Sequence, residues 1–264
     1  MGLRVCIAGV SGKVGKALAA GVAAADDLEL TGAVSRGWAG RTVASALGLD
    51  GQDTVIRATV AEALECDVLI DYTSAAAVKP HVLLAIERRV HVVVGSSGLT
   101  VDDYAELDRR AREAGVGVFA AGNFALTAVL LQRFAELAAR VLPTWEIIDY
   151  AGASKPDAPS GTARELAVRL AQVRPPVVER SVADSIGEPA ARGATLSGTQ
   201  VHSVRVPGYL SSIEVSFGQA GERLLLRHDA TDPSAPYVAG TLLAVRRVRE
   251  WTGVRRGLDT LLDL

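Results

Sequence analysis

The sequence has few of the residues that build disulfide or metal frameworks. Its 264 residues include two cysteines, Cys6 and Cys66, and four histidines that lie far apart along the chain. Isolated cysteines and scattered histidines match neither a disulfide framework nor the ligand spacing of a metal site. We therefore expect both cysteines to pack in the protein interior, and we expect no metal ion.

An excess of positive charge and a long apolar run are also missing. The net charge is −2, and the hydrophobic residues, 49% of the chain, are broken up by polar ones throughout. The first feature argues against nucleic acid as a partner and the second against a membrane span. Residues 1–4 lead straight into an apolar strand without the pattern of a signal peptide, so we expect a cytoplasmic protein.

Strand-like and helix-like segments alternate over the first half of the chain. Five short segments have the apolar composition of buried strands: Arg4–Ala8, Leu28–Val34, Asp67–Tyr72, His91–Val94 and Val116–Ala120. Strands that alternate with helices in this way are typical of a parallel sheet with both faces covered. The pattern predicts an α/β fold with a Rossmann-type doubly wound parallel sheet.

The rhythm changes after Phe124. A long helix is predicted from Ala125 to Val141, and the segments that follow read as strands around a loop, Gly187–Gly198: Glu146–Tyr150, Gln200–Val206, Ser212–Phe217 and Glu222–His228. They predict an α+β domain with a mixed or antiparallel sheet over residues 124–234. A last helix, Tyr237–Glu250, returns to the first domain, which therefore combines residues 1–123 with about 235–264.

The first strand runs into a glycine-rich turn that opens a helix. Glycines three residues apart permit a tight turn, the close approach of a pyrophosphate and tight packing of helix on strand. The spacing is G-x-x-G-x-x-G, and a plain tight turn would share it. We predict a dinucleotide-binding loop formed by Gly9, Ser11, Gly12, Lys13, Val14 and Gly15.

The end of the second strand indicates which dinucleotide binds. An acidic residue there usually grips the ribose 2′-hydroxyl of NAD, but this strand is followed by Arg36 and, slightly further on, Arg41. A guanidinium pairs well with the 2′-phosphate of NADP. The alternative is that both arginines are solvated loop charges. We predict NADPH as the cofactor, with NADH also possible.

Polar and glycine residues follow the third, fourth and fifth strands. Because ligands of such sheets bind at the carboxyl ends of the strands, these residues are predicted on the cofactor side. They are Tyr72, Thr73, Gly95, Ser96, Ser97, Gly122, Asn123 and Phe124.

A lysine followed by a helix start predicts a second anion site, for a small carboxylate substrate. Lys155 supplies a positive charge, and Ser160, Gly161 and Thr162 open a predicted helix to Val173. A helix N-terminus offers free N–H groups and a positive dipole end. Thr162 also has capping-box spacing to a glutamate three residues later. A capped surface helix after a turn would show the same pattern.

The chain resembles the dihydrodipicolinate reductases of the lysine pathway along essentially its whole length. The resemblance rests on these segments: Gly9–Gly15, Val94–Gly98, Asn123–Ala125, Lys155–Ala163, Val201–Arg205 and Leu226–Asp229. It implies a Rossmann domain, a sheet domain, usually a homotetramer formed through those sheets, and reduction of a cyclic substrate by NADH or NADPH. The resemblance also implies that substrate is bound by Lys155, Ser160, Gly161 and Thr162.

One departure from the family pattern bears on catalysis. The family motif places two histidines ahead of the lysine, the first as proton donor, and here those positions are Ala151 and Gly152. Neither residue can act as a general acid. Lys155 is the remaining catalytic candidate, with Tyr150 as a weaker substitute donor.

Three functions remain open from the sequence. The chain could be a diverged reductase of another cyclic imine or enamine carboxylate, which a kept hydride site and an altered pocket fit best. It could be a genuine 4-hydroxy-tetrahydrodipicolinate reductase that obtains its proton elsewhere. It could also be a non-catalytic NADP-binding protein.

Overall fold

The structure is a computed structural model that describes residues 2–262. Within this range the chain forms two compact units. Unit 1 joins the chain up to Leu126 to the chain from Ser234 onward, and unit 2 is Thr127–Pro233. The first unit is therefore discontinuous in sequence, and the second is an insertion in it.

The described residues contain twelve strands and seven α-helices. The strands β1 to β12 are Leu3–Ala8, Leu28–Val34, Ile56–Arg57, Val68–Asp71, His91–Val94, Gly117–Ala120, Thr144–Ala151, Ala194–Leu196, Thr199–Arg205, Ser211–Gln219, Glu222–Ala230 and Gly253–Arg256. The helices α1 to α7 are Lys13–Ala23, Val43–Leu47, Ala75–Glu87, Val101–Ala114, Leu126–Ala139, Gly161–Val173 and Pro236–Arg247.

Unit 1 is built on a seven-stranded parallel sheet. The strand order is β12-β6-β5-β4-β1-β2-β3. The apolar residues of β4, Val68, Leu69 and Ile70, are all fully buried, because helices cover both faces of the sheet. The expected Rossmann-type sheet is confirmed. The chain order reverses beside β1, which lies between β2 and β4, and ligands of such folds bind at this switch point.

Both cysteines pack in the interior of unit 1 as free thiols. Cys6 pairs with Gly32 across β1 and β2, and a Cβ on Gly32 would lie 2.8 Å from the Cys6 sulfur. The same Cβ would lie 2.5 Å from the Ala63 carbonyl oxygen, so the packing around Cys6 requires a glycine here. A hydrogen bond with Cys66 and burial raise the pKa of the Cys6 thiol.

Unit 2 contains a five-stranded mixed sheet in the order β11-β10-β7-β9-β8. Strands β7 and β9 are parallel and the other pairs are antiparallel. Burial alternates strictly along β7, because one face of the sheet packs against helices α5 and α6. Trp145, Ile147 and Phe217 form the sheet side of this core, with Leu166 and Leu170 of α6 on the other side.

Several sequence predictions are wrong in detail. Helix α6 begins at Gly161, and its N-cap is Ser160, whose side chain accepts a hydrogen bond from the Ala163 N–H; the expected capping box at Thr162 does not form. The predicted loop Gly187–Gly198 contains β8, which pairs with β9. Strands β3, β8 and β12 are only two to four residues long. β3 and β8 are too short to show an apolar pattern, and β12 has the sequence Gly-Val-Arg-Arg, which contains a single apolar side chain.

Candidate cofactor and carboxylate sites

The glycine-rich loop between β1 and α1 needs two of its glycines for steric reasons. Gly9 has a φ of +90°, and a Cβ on it would collide with the Tyr72 carbonyl. A Cβ on Gly15 would collide with the carbonyl oxygen of Gly9. These glycines let the turn close tightly and let α1 pack against it.

The start of α1 is open to an anion. Gly12 is the N-cap and contributes no side-chain hydrogen bond. The N–H groups of Lys13, Val14 and Gly15 have no hydrogen-bond partner among residues 2–262. Three free donors at the positive end of a helix dipole match the needs of a pyrophosphate group, so the loop fits a dinucleotide.

A positively charged cluster surrounds Trp38 just beyond β2. Lys16 and Arg41 lie over the indole, 5.1 and 5.5 Å from its centre. Arg41 also donates to the Ser45 carbonyl at 2.9 Å, whereas exposed Arg36 has no ion-pair partner in the part of the chain described. The sequence predicted both arginines but missed Lys16 and Trp38, because no local pattern shows that the Lys16 and Arg41 side chains meet over the Trp38 ring.

The loop and β2 are also joined directly. Ser35 donates its hydroxyl to Ser11 at 2.8 Å, which links the end of β2 to the middle of the glycine loop. The predicted pyrophosphate and 2′-phosphate positions therefore belong to one connected surface of unit 1.

A buried carboxylate holds together the loops that follow β4 and β5. Asp71 has no exposed surface and accepts hydrogen bonds from the Thr73 N–H and hydroxyl, at 3.1 and 2.8 Å. Ser96 Oγ donates to it at 2.6 Å and His81 Nδ1 at 2.8 Å. Burial opposes the charged form, but these four hydrogen bonds outweigh it, so the pKa of Asp71 lies below its usual value.

Thr73 and Ser96 are thus placed side by side, as two of the predicted cofactor residues. Sequence reasoning missed Asp71 and His81 themselves. The available signal was a carboxylate that ends an otherwise apolar strand, because such a group must find several donors once it is buried.

Tyr72 and Phe124 form an aromatic wall in unit 1. Their ring centres are 5.9 Å apart, and the Tyr72 hydroxyl donates to Thr241 Oγ1 at 2.9 Å, since that group gives its own proton to the Tyr237 carbonyl. Burial raises the pKa of Tyr72 well above its usual value. Gly95 lies against the ring, and any Cβ there would collide with it. Tyr72 is therefore a neutral, fixed side chain.

The remaining predicted cofactor residues are more open. Gly122 and Ser97 are exposed, and the side chain of Asn123 accepts the Ala125 N–H at 2.8 Å, which shapes the turn between β6 and α5.

The predicted anion site of unit 2, Lys155 and residues 160–162, is called the carboxylate clamp below, and the loop that carries it is anchored by Asp149 and Arg205. Asp149 is 2% exposed, and its Oδ2 accepts Arg205 Nη2 at 2.6 Å and the Ser160 N–H at 2.8 Å. Arg205 also donates to the Asp157 carbonyl at 2.8 Å. Burial works against the ionised carboxylate, but the Arg205 and Ser160 hydrogen bonds prevail and lower the pKa of Asp149. This pair therefore fixes the last residues of the loop before α6, at Asp157 and Ser160.

The first turn of α6 leaves two donors free. The Ser160 hydroxyl caps the Ala163 N–H at 3.3 Å, whereas the N–H groups of Gly161 and Thr162 have no partner among the residues described. A Cβ on Gly161 would meet no atom within 4 Å, so the space beside these donors is open. A carboxylate fits this arrangement.

Lys155 is held close to this loop by an ion pair. Its ammonium lies 2.8 Å from Asp157 Oδ1, and both side chains are about one-third exposed, at 35% and 36%. The pair orients the lysine at low cost while leaving donor capacity for a ligand, since an ammonium has three N–H groups.

Ala151 and Gly152, at which the family pattern has histidines, have different surroundings. Ala151 is buried and faces the helix-covered side of β7, whereas Tyr150 faces the opposite side. There the Tyr150 ring packs 5.0 Å from Tyr209 and 4.8 Å from the Arg227 guanidinium. A Cβ on Gly152 would lie 3.1 Å from the Tyr209 carbonyl. The geometry therefore disfavours Tyr150 as a replacement for a donor at position 151.

The described residues were searched for clusters of metal ligands and for membrane-spanning helices. Residues 2–262 contain no group of three or more histidine, cysteine or acidic side chains that could hold a metal ion. Within the same range, the helices are too short or too polar to cross a membrane.

Comparison with known proteins places these sites in context. Family models described as the dihydrodipicolinate reductase N-terminus and C-terminus match residues 3–124 and 127–262. The chain is 37% identical to the 4-hydroxy-tetrahydrodipicolinate reductase of Moorella thermoacetica, covering 99% of this chain and 98% of that protein. It is 39% identical to the protein of the same name from Mycolicibacterium vanbaalenii, covering 99% and 100%.

Comparison with solved structures gives the same family. A dipicolinate-bound dihydrodipicolinate reductase from Paenisporosarcina sp. TG-14 superposes with a TM-score of 0.89 at 30% identity, covering 99% of this chain and 100% of that one. An amine dehydrogenase from Mycobacterium smegmatis superposes with a TM-score of 0.65 at 17% identity, covering 96% and 94%, which is a likeness of fold alone.

Proposed function

The chain belongs to the dihydrodipicolinate reductase family, and we propose that it is a diverged member that transfers a hydride from NADPH to a cyclic imine or enamine carboxylate. It is an oxidoreductase that uses NAD(P)H. One observation carries the choice of substrate class. The carboxylate clamp of α6 is complete, while Ala151 and Gly152 remove two imidazole rings beside it.

The cofactor is assigned to unit 1. When bound, the nicotinamide group supplies the hydride. We assign the pyrophosphate to the free N–H groups at the start of α1, and the 2′-phosphate to Arg36 and Arg41. The loops after β4, β5 and β6 line the rest of the cofactor site. A charge-assisted contact to the 2′-phosphate is worth roughly 1.5–3 kcal/mol, which is the basis of the preference for NADPH.

The substrate carboxylate is assigned to unit 2. Lys155 contributes the charge, and the N–H groups of Gly161 and Thr162 contribute two directed donors. Ser160 acts indirectly, because its hydroxyl caps the helix and its N–H is taken by Asp149. A carboxylate held by both the Lys155 ammonium and the helix N–H groups has a fixed orientation. This orientation directs the substrate ring toward the hydride and so lowers the barrier to hydride transfer.

Protonation explains why the substrate should differ from that of the family. Position 151 carries no acid, and Tyr150 faces the other side of β7. An iminium substrate is already protonated on nitrogen and needs no donor from the protein during hydride transfer.

A second candidate is 4-hydroxy-tetrahydrodipicolinate reductase itself. It is favoured by relatives of that name that are 36–39% identical over almost the whole chain. In that case a water molecule would have to deliver the proton at position 151.

Turnover on a substrate panel separates these candidates. The purified protein is mixed with NADPH and either the lysine-pathway intermediate or five- and six-membered cyclic imino acids, and oxidation of the cofactor is followed. We expect a higher rate on a cyclic imino acid than on the pathway intermediate. A rate of about 10 per second or more on the pathway intermediate would favour the second candidate. NADPH binding without turnover on any imine would indicate a non-catalytic protein.

The remaining assignments follow from family membership. We propose that unit 1 is the dinucleotide-binding domain and that unit 2 binds substrate and forms the contacts of a homotetramer in the cytoplasm. The mass of the purified protein by light scattering tests the assembly.

A further inference from the structure

A charged pocket lies in unit 1, away from the glycine-rich loop. It has a volume of about 310 Å³. Its lining includes residues at the beginning of β1, immediately before β4 and at the beginning of β5, so it lies at the amino ends of the parallel strands, whereas the cofactor loops follow their carboxyl ends. The lining residues are Arg4, Leu64, Cys66, Asp67, Arg88, Arg89, Val90, His91 and Arg249.

The charges that line this amino-end pocket do not cancel. Asp67 is its one acidic residue, and Arg4 already binds it through its guanidinium at 2.9 and 3.3 Å and through its N–H at 2.9 Å. Arg88, Arg89 and Arg249 are exposed and have no ion-pair partner among residues 2–262. Three positive charges are therefore left around one concave surface.

These arginines come from separate elements. Arg88 and Arg89 follow the end of α3, where the helix dipole contributes about half a negative charge, so part of their charge is answered there. Arg249 belongs to the 3-10 helix Val248–Glu250 that follows α7, and Arg4 to β1. Arg249 lies in the last turn of that 3-10 helix, so a helix C-terminus answers part of its charge too, but no helix end accounts for Arg4. Side chains from three elements therefore share the pocket against their mutual repulsion.

His91 adds a donor of a different kind. Its Nδ1 accepts the Gly117 N–H at 2.9 Å, which leaves the ring proton on Nε2. Burial and the nearby Arg249 lower the pKa of His91, so the ring stays neutral at neutral pH. The pocket lining thus combines guanidinium groups with a neutral imidazole, and its one carboxylate, Asp67, is already bound by Arg4.

We propose that the amino-end pocket binds a small organic anion that carries two or more negative charges, at a site separate from the cofactor and substrate sites. Guanidinium groups bind phosphate and carboxylate oxygens in paired hydrogen bonds, and several of them together favour a doubly charged ligand over chloride. The pocket is larger than one phosphate group needs, so a phosphate ester or a dicarboxylate is the class of ligand that we expect. The proposal is independent of the reaction that the protein catalyses.

Calorimetric titration tests it. Glycerol phosphate, succinate and inorganic phosphate are titrated into protein saturated with NADPH, so that the anion site of the glycine-rich loop is filled. Sodium chloride at matched ionic strength is the salt control. We expect saturable binding of glycerol phosphate, succinate or both. The anion that binds more tightly shows whether the ligand class is a phosphate ester or a dicarboxylate.

Two variants and a matched control locate the site. Arg249→Gln and Arg88→Gln should each weaken binding about tenfold or more, because each removes charge-assisted hydrogen bonds. Arg109→Gln, on the exposed face of α4 in the same unit, should leave it unchanged. The proposal is overturned if neither glycerol phosphate nor succinate binds saturably to the NADPH-saturated protein, if chloride reproduces the heat signal, or if the three variants bind equally well.

Discussion

Replacement of Asp149 by asparagine tests the anchor of the carboxylate clamp. The aspartate ties β7 to Ser160 at the helix start and to Arg205 of β9, by hydrogen bonds of 2.8 and 2.6 Å. Asparagine keeps the shape and one oxygen acceptor but removes the negative charge. The Arg205 guanidinium, whose side chain is only 15% exposed, is then left without its counter-charge.

The size of the effect follows from this burial. Removing one partner of a buried ion pair costs about 3–5 kcal/mol, because the other charge stays buried and uncompensated. Arg205 retains the carbonyl oxygens of Asp149 and Asp157 as acceptors, at 3.1 and 2.8 Å. The amide oxygen also still accepts from Ser160. We therefore expect Asp149→Asn to lower the free energy of unfolding of unit 2 by about 2–3 kcal/mol.

Urea unfolding followed by tryptophan fluorescence measures this. Trp145 lies in the core of unit 2, and changing Trp38 and Trp251 of unit 1 to phenylalanine makes it the reporter. Asp184→Asn, at an exposed position of unit 2, is the matched control and should change little. A loss below about 1 kcal/mol for Asp149→Asn, or a loss equal to the control, would refute the reasoning.

The pH dependence has a definite sign. The pKa of Asp149 is lower in the folded protein than in the unfolded chain, where an aspartate titrates near ~3.9. Its stabilisation is therefore present above that unfolded value and is lost as the pH falls through the folded pKa. The stability difference between wild type and Asp149→Asn should be largest near neutral pH and should shrink in acid.

Three further predictions concern the cofactor and substrate sites. Arg36→Ala should weaken NADPH binding by roughly 1.5–3 kcal/mol with little effect on NADH, and Arg109→Ala should affect neither; equal affinity of wild type for both cofactors would contradict the assignment. Lys155→Ala should strongly reduce turnover while NADPH titration is unchanged, and Arg140→Ala should do neither; normal activity of Lys155→Ala would exclude the clamp. Asp71→Asn should destabilise unit 1 by about 1–3 kcal/mol in urea and weaken NADPH binding, whereas unchanged NADPH affinity would separate this carboxylate from cofactor binding.

Much of unit 1 could be read from the sequence because its signals are local. Buried strands of a parallel sheet are nearly continuous apolar runs, and helices separate them at regular intervals. The glycine-rich turn is recognisable because Gly9 and Gly15 are required by contacts within a few residues of chain. Strands β3 and β12 were missed because β3 has only two residues and β12, with the sequence Gly-Val-Arg-Arg, lacks an apolar run.

The residues that organise the sites were less accessible. Asp71 meets His81 and Ser96, and Asp149 meets Arg205, at separations from 10 to 56 residues. Such side chains are also common at the surface, and although Asp71 ends an apolar strand, nothing in the local pattern names the distant residues that these carboxylates bind. Gly95 is similar, since only the packing of the Tyr72 ring against its backbone excludes a side chain there.

Residue identity and short spacing were enough to predict the parallel sheet of unit 1 and to single out the glycine-rich turn and the string Lys155–Ala163, and comparison with the family pattern was enough to find Ala151 and Gly152 in place of two histidines. Folding was needed to show which donors remain free at the start of α6, which side of β7 the helices cover, and that four arginines share one pocket. Hydrogen-bond satisfaction, side-chain direction and charge proximity depend on distances between segments far apart in the chain. Those distances exist only once the chain has folded.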